Sequence, residues 1–178
     1  IDKTGKIAIE PKYDMAYSFT DGLALVSEGG REGFIDTDGN YVIKLTDKVD
    51  YASFSDGYAL IRKGNKWGFI DKKGNIVIKP AFYGAADFKE GFASIMEKVG
   101  DKYLSGYINK KGKMITKAIY EEVDDFQEGM ACVKKNGKYG FINKKGKLVV
   151  NAIYDNAFSI IILYLFIKAI LKVHLRFF

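Results

Sequence analysis

The phrase KWGFIDKKGNIVIKP at residues 66–80 returns in altered form as REGFIDTDGNYVIKL before it and KYGFINKKGKLVVNA after it. Units open at Ile1, Ile35, Ile70, Ile108 and Ile142, spaced by 34, 35, 38 and 34 residues, and the first and last are incomplete. Self-similarity at such a period means that one supersecondary unit is copied and stacked, which excludes most single-core folds.

The unit is legible strand by strand. Ile is followed by Asp2, Asp36, Asp71, Asn109 or Asn143, and three residues later by Gly5, Gly39, Gly74, Gly112 or Gly146. A side-chain oxygen can cap such a turn, and glycine can take the positive φ that closes it. Apolar β-formers flank both sides, so WGFIDKKGNIVI reads as a β-hairpin. A third strand precedes it, as GLALVS, GYALIR, GFASIM and GMACVK. Period two puts Ala24, Ala59, Ala93 and Ala131 on one face with Val26, Ile61, Ile95 and Val133. A variable connector ends in Phe, any residue, acid and Gly, at Phe19, Phe54, Phe88 and Phe126; this aromatic column is expected to anchor the connector in the core. Unit 2 has Lys48 where other units place Tyr13, Phe82 and Tyr120, and unit 3 carries extra residues expected to lengthen a hairpin loop.

The expected fold is all-β: tandem three-stranded antiparallel meanders in an open, twisted array, with a β-propeller as the alternative. Residues 1–157 form the repeat domain and 158–178 a divergent tail. Because the chain opens on IDKTGKIAIEP, inside a unit, upstream sequence is expected.

Composition narrows the partners. Of the +6 formal charge, Lys168, Lys172 and Arg176 lie in the acid-free tail, so the repeats carry only a modest excess and nucleic acid is not the expected partner. The single cysteine, Cys132, excludes an intrachain disulfide. The sole histidine, His174, lies in the tail, so no Cys–His pair is motivated. No phosphate-cradling loop or zinc-ligand spacing occurs, and no catalytic residue, cofactor or metal is assigned.

The recurrent GFID, GYIN and GFIN phrases, the Trp67-Gly68 pair and the Phe-x-acid-Gly-x-Ala phrase together resemble the bacterial WG-repeat family over residues 1–157. Glu32, Ser105 and Tyr139 stand where the family has Trp. The resemblance implies an all-β repeat protein, found beside other domains or near the cell envelope, with a binding or scaffolding role and no catalytic residues to carry over.

Three recurring columns invite a chemical reading. The acids Asp21, Asp56, Glu90 and Glu128 are expected to cap turns, with calcium ligation as the alternative. Glu121, Glu122, Asp124 and Asp125 read as a solvated acidic patch. Lys72-Lys73, Lys110-Lys111 and Lys144-Lys145 occupy matching turns, as a solubilising edge or as a basic ridge for anionic partners. Trp67, Tyr139, Tyr58 and Phe92 are the candidate contact residues for a glycan or peptide, with the core as their alternative place. The tail, FSIIILYLFIKAILKVHLRFF, is open to three readings: a terminal cap, a membrane-contacting cationic helix or a disrupted repeat. The functional expectation is a non-catalytic scaffold or protein-binding module; the alternatives are a glycan or peptide surface, or an accessory region of a larger enzyme or envelope protein. The partner is an unidentified protein or envelope component, and the setting is the envelope or the cytoplasm.

Overall fold

The computed structural model describes residues 4–45 and 53–156. The tail readings, His174, Asp2 and Lys48 lie outside the described residues. Within them the chain forms four antiparallel sheets, each in sequence order. The first holds β1 (Met15–Ala16), β2 (Ala24–Glu28), β3 (Arg31–Ile35) and β4 (Tyr41–Lys44). The second holds β5 (Phe54–Ser55), β6 (Tyr58–Lys63), β7 (Lys66–Asp71) and β8 (Ile76–Phe82). The third holds β9 (Gly84–Ala85), β10 (Phe92–Val99), β11 (Lys102–Asn109) and β12 (Met114–Tyr120). The fourth holds β13 (Glu122–Val123), β14 (Met130–Lys135), β15 (Lys138–Asn143) and β16 (Leu148–Tyr154).

The unit is therefore four-stranded, one strand more than the meander the sequence predicts. The extra strand is a dipeptide of the connector. Ala85 pairs with Ile95 and Val123 with Val133, which supplies partners to backbone groups on the outer side of β10 and β14. A single residue, Tyr83 or Glu121, separates the last strand of one sheet from the first strand of the next.

Consecutive sheets bury apolar faces against one another, so the second and third sheets are covered on both sides. Leu25, Phe34 and Ile43 of the first sheet pack with Phe54, Ala59 and Ile70 of the second. Leu60, Phe69 and Ile78 meet Phe88, Ala93, Ile95 and Ile108 of the third. Tyr107 and Tyr120 meet Phe126, Ala131, Val133 and Ile142 of the fourth. The Ala column thus lies on the face that meets the preceding sheet, as period two requires. No core cluster of the described residues joins the first sheet to the fourth, and the array is open.

The connector phenylalanine is the staple between sheets. Phe54 meets Phe34 at 4.8 Å between ring centroids, Phe88 meets Phe69 at 4.7 Å and Phe126 meets Tyr107 at 5.1 Å, all edge to face. Phe19 occupies the same sequence position and is 44% exposed, because no sheet of the described residues precedes the first.

The glycine of the Trp-Gly pair has a steric cause. A Cβ at Gly68 would sit 2.5 Å from the Ile78 carbonyl oxygen and from Pro80 N. Trp67 pairs with Phe82 and Phe69 with Ile78, so Gly68 alone faces residues 79–81 of a bulge. Gly106 and Gly140 face equivalent bulges. Pro80 is tolerated there because a bulge needs no ladder N–H from it.

Unit 3 departs from the loop expectation. Its extra residues extend β10 and β11 to eight residues each, joined at Gly100-Asp101, and the added pairs are Lys98–Tyr103 and Val99–Lys102.

Two substitutions at one motif position separate stacking from local structure. Phe88→Ala is expected to lower the unfolding free energy in urea by about 3–5 kcal/mol, and Phe19→Ala by less than about 1 kcal/mol. Equal costs would contradict the staple. Gly68→Ala is expected to cost about 1–3 kcal/mol by overpacking.

Candidate binding surface

The turn before the second strand of each sheet is built alike. Asp21, Asp56, Glu90 and Glu128 have φ of 51°, 53°, 51° and 53°, and the following glycines have φ of 83° to 89°. Thr20 and Leu23 exchange backbone hydrogen bonds of 2.9 and 3.0 Å around the Asp21-Gly22 pair, as do Lys89 with Phe92 and Gln127 with Met130 around theirs. Two residues at positive φ make the tight hairpin turn, and a non-glycine residue there is strained.

The strain is offset across the sheet boundary. Gly57 N donates to Asp21 Oδ2 at 2.6 Å, and Gly91 N to Asp56 Oδ2 at 2.5 Å. Glu90 accepts from Glu128 N at 2.6 Å and Gly129 N at 2.8 Å. Asp21, Asp56 and Glu90 thus each cap the corresponding turn one sheet further on. A lysine of that next sheet completes the group. Lys110 Nζ lies 2.6 Å from Asp56 Oδ1 and Lys144 Nζ 3.1 Å from Glu90 Oε2, while Lys72 Nζ donates to the Asp21 carbonyl at 2.5 Å.

These contacts set the charge state. Burial works to raise the Asp56 carboxyl, but the Lys110 and Gly91 hydrogen bonds prevail and hold it below its ordinary value. The Gly129 N–H holds Glu90 below its own ordinary value, against partial desolvation and with help from Lys144. The acids are occupied by protein donors at successive turns, which is the capping expectation. Among the described residues no group of three or more His, Cys, Asp or Glu could hold a metal ion.

The lysine ridge divides in two. Lys72, Lys110 and Lys144 reach back to the preceding sheet, whereas Lys73, Lys111 and Lys145 remain exposed. The side chains opening the hairpins are caps as well: Asp71 Oδ1 accepts from Lys73 N and Asn75 N at 2.9 Å, and Asn109 Oδ1 from Lys111 N and Lys113 N at 3.0 Å. In the acidic patch, Glu121 accepts from Gly137 N at 3.0 Å, and Glu122 from Lys134 Nζ at 2.7 Å and Tyr139 Oη at 2.8 Å.

The four aromatic candidates lie at different places. Trp67 is half-buried against the core between the second and third sheets, with the Arg62 guanidinium 5.6 Å from its ring. Tyr58 packs edge to face on Phe88 at 5.2 Å, at the acid-turn end of the same sheet. Its ladder partner is Asp71 and that of Trp67 is Arg62, so the two rings occupy opposite ends of the β6–β7 hairpin. Phe92 tilts against Phe126 at 4.8 Å. Tyr139 lies on the far face of the fourth sheet with Cys132, Phe141 and Val150. Sequence reading did not find Tyr83 and Tyr103, whose rings meet at 5.3 Å beside the lengthened hairpin.

Cys132 is buried, and desolvation, with Asp124 and Glu122 nearby, pushes its thiol up to about 11. A thiol at that value is protonated at neutral pH and is not a nucleophile.

The lowered carboxyls give a signed prediction. Their stabilisation is complete above the ordinary values of 3.8 and 4.5, and is lost as pH falls through the lower folded-state values. Asp56→Asn and Glu90→Gln are each expected to cost about 1 kcal/mol at neutral pH, discounted for partial exposure, and to match the wild type in acid. Thermal melts across pH check this; a penalty that persists unchanged in acid would contradict it.

Comparison with known proteins agrees with this geometry. No curated protein sequence matches the chain. Two solved structures from Kluyveromyces lactis are similar to it. One, of Hsv2p, has a TM-score of 0.54 and 13% identity over 79% of this chain and 50% of that one. Another, of Hsv2, has a TM-score of 0.48 and 10% identity over 79% of this chain and 51% of that one. The chain thus spans about half their length, and likeness at this identity is one of fold alone. The model of the WG containing repeat matches residues 1–31, 33–67, 67–103, 106–139 and 139–160. With that match along its length, and with the bulge glycines, staples and capped turns recurring from sheet to sheet, the chain belongs to the WG containing repeat family.

Proposed function

We propose that the chain is a non-catalytic scaffold that binds a protein partner through side chains left outside its stack. One observation carries this reading: the recurring motif residues are occupied in holding sheets together. The bulge glycines accommodate the neighbouring strand, the connector phenylalanines fill the sheet boundaries, and the turn acids bind the next sheet's glycine and lysine. What faces outward is a periodic surface of hairpin lysines, together with exposed apolar side chains on the fourth strands such as Val42, Ile76, Ile119 and Val149. A periodic surface of this kind offers a partner many weak, additive contacts. The setting in which we would look for that partner is a bacterial envelope or cytoplasm, and an accessory role beside an enzyme fits the same surface.

A glycan- or peptide-binding surface is the second reading. Its support is that Trp67, Tyr139, Tyr58 and Phe92 each keep part of the side chain accessible. Their separation makes it a dispersed surface rather than one pocket.

Quantitative recovery of partners on the immobilised chain tests both. Charge reversal at Lys73, Lys111 and Lys145 is expected to reduce partner recovery with an unchanged thermal midpoint. Loss only with Trp67→Ala and Tyr139→Ala would favour the second reading. Recovery indifferent to every surface variant, or substrate turnover by the purified chain, would overturn the scaffold reading.

A further inference from the structure

The lengthened β10–β11 hairpin is an arm that its own sheet does not cover. Beyond Met96, β10 has no strand on the β9 side: β9 pairs only with Ile95 and Met96, and the last backbone bond there runs from Tyr83 N to Met96 O at 2.9 Å. In an antiparallel ladder the direction of backbone bonding alternates from residue to residue. Met96 bonds toward β9, so Lys98 also aims its N–H and C=O to that side, where no strand of the described residues lies. Glu97 and Val99 bond inward to Leu104 and Lys102.

The surroundings of this edge are aromatic and positive. Tyr103, 51% exposed, meets the Tyr83 ring, and the Lys66 ammonium lies 3.0 Å from the centroid of Tyr83. Lys98 and Lys102 flank the tip, and Lys63 ends the neighbouring β6, against Glu97 and Asp101. Pairing of two such edges from two copies would bring lysines together, a device that blocks self-association.

We propose that this edge binds an acidic, extended polypeptide segment by strand addition along Lys98, with alternate side chains of the segment resting against Tyr83 and Tyr103. The proposal rests on the scaffold reading and names its partner's chemistry. Strand addition supplies affinity through main-chain bonds and specificity through alternate side chains. The lysines select for carboxylates and make the binding salt-dependent. The opposite edge of the arm leads past the Ser105–Tyr120 pair toward the connector residues Glu121 and Glu122, whose charge disfavours an acidic segment there.

The probe is a fluorescein-labelled peptide alternating Glu and Val, with an alternating Lys–Val peptide as control, measured by anisotropy on the whole chain. The acidic peptide is expected to bind and to be released by added salt, and the basic one not to bind. Lys98→Ala removes the charge and keeps the N–H, while Lys98→Pro removes both and leaves the inward ladder intact. Lys98→Pro is expected to bind about three- to tenfold more weakly than Lys98→Ala, the loss of one hydrogen bond. A thermal melt verifies the fold of each. If the two variants bind alike, or heparin competes as well as the acidic peptide does, the edge is not the site and only the arm proposal falls. If wild type binds neither peptide, the proposal is likewise overturned, whereas the scaffold reading is decided separately by partner recovery.

Discussion

The contact on which the structure depends is the edge-to-face meeting of a connector phenylalanine with an aromatic ring of the preceding sheet. A small twisted sheet with apolar side chains on both faces cannot remain single in water. Phe54, Phe88 and Phe126 each cross a boundary to fill the space beside Phe34, Phe69 and Tyr107. The open array follows, because every internal sheet has a neighbour on each side. Around that apolar centre the turn acids add a polar lock, reaching glycine N–H groups 35 to 39 residues ahead.

This arrangement reverses the intuitive reading of a motif. In an enzyme, a recurrent glycine, acid and lysine would draw attention as chemistry. Here Gly68 recurs because a bulge leaves no room for a Cβ, and Asp56 recurs because a strained turn in the next sheet needs an acceptor. On the proposed reading, recognition falls to what lies outside the stack: the long β10–β11 arm and the Tyr83–Tyr103 pair, which do not recur, and the exposed members of the recurring lysine pairs. One stacking scheme can therefore carry different partners by changing surface residues alone.

Much of the fold was legible in the sequence because its signals are local. Period two assigned the face of Ala59 and Ile61, and the Asp71-to-Gly74 spacing marked a capped hairpin that the structure contains. The connector strands were not legible, since Gly84–Ala85 and Glu122–Val123 are too short to show an alternation. Unit 3's insertion read as a loop because lysines, an acid and Gly100 interrupt its apolar pattern, yet backbone pairing extends through it. The binding surface was least legible. Lys110 and Asp56 are separated by 54 residues, and nothing local says that one lysine of each pair is committed and the other exposed. Tyr83 and Tyr103 belong to no shared column, so repeat comparison passed over them.

Amide hydrogen exchange at the turn glycines tests the interlocked stack most directly. The account predicts slow exchange at Gly57, Gly91 and Gly129, whose N–H groups reach a carboxylate of the preceding sheet, and acceleration at each when Asp21, Asp56 or Glu90 respectively loses its charge. Exchange at the rate of an open loop, or protection indifferent to those acids, would mean that successive sheets are not locked to one another as described.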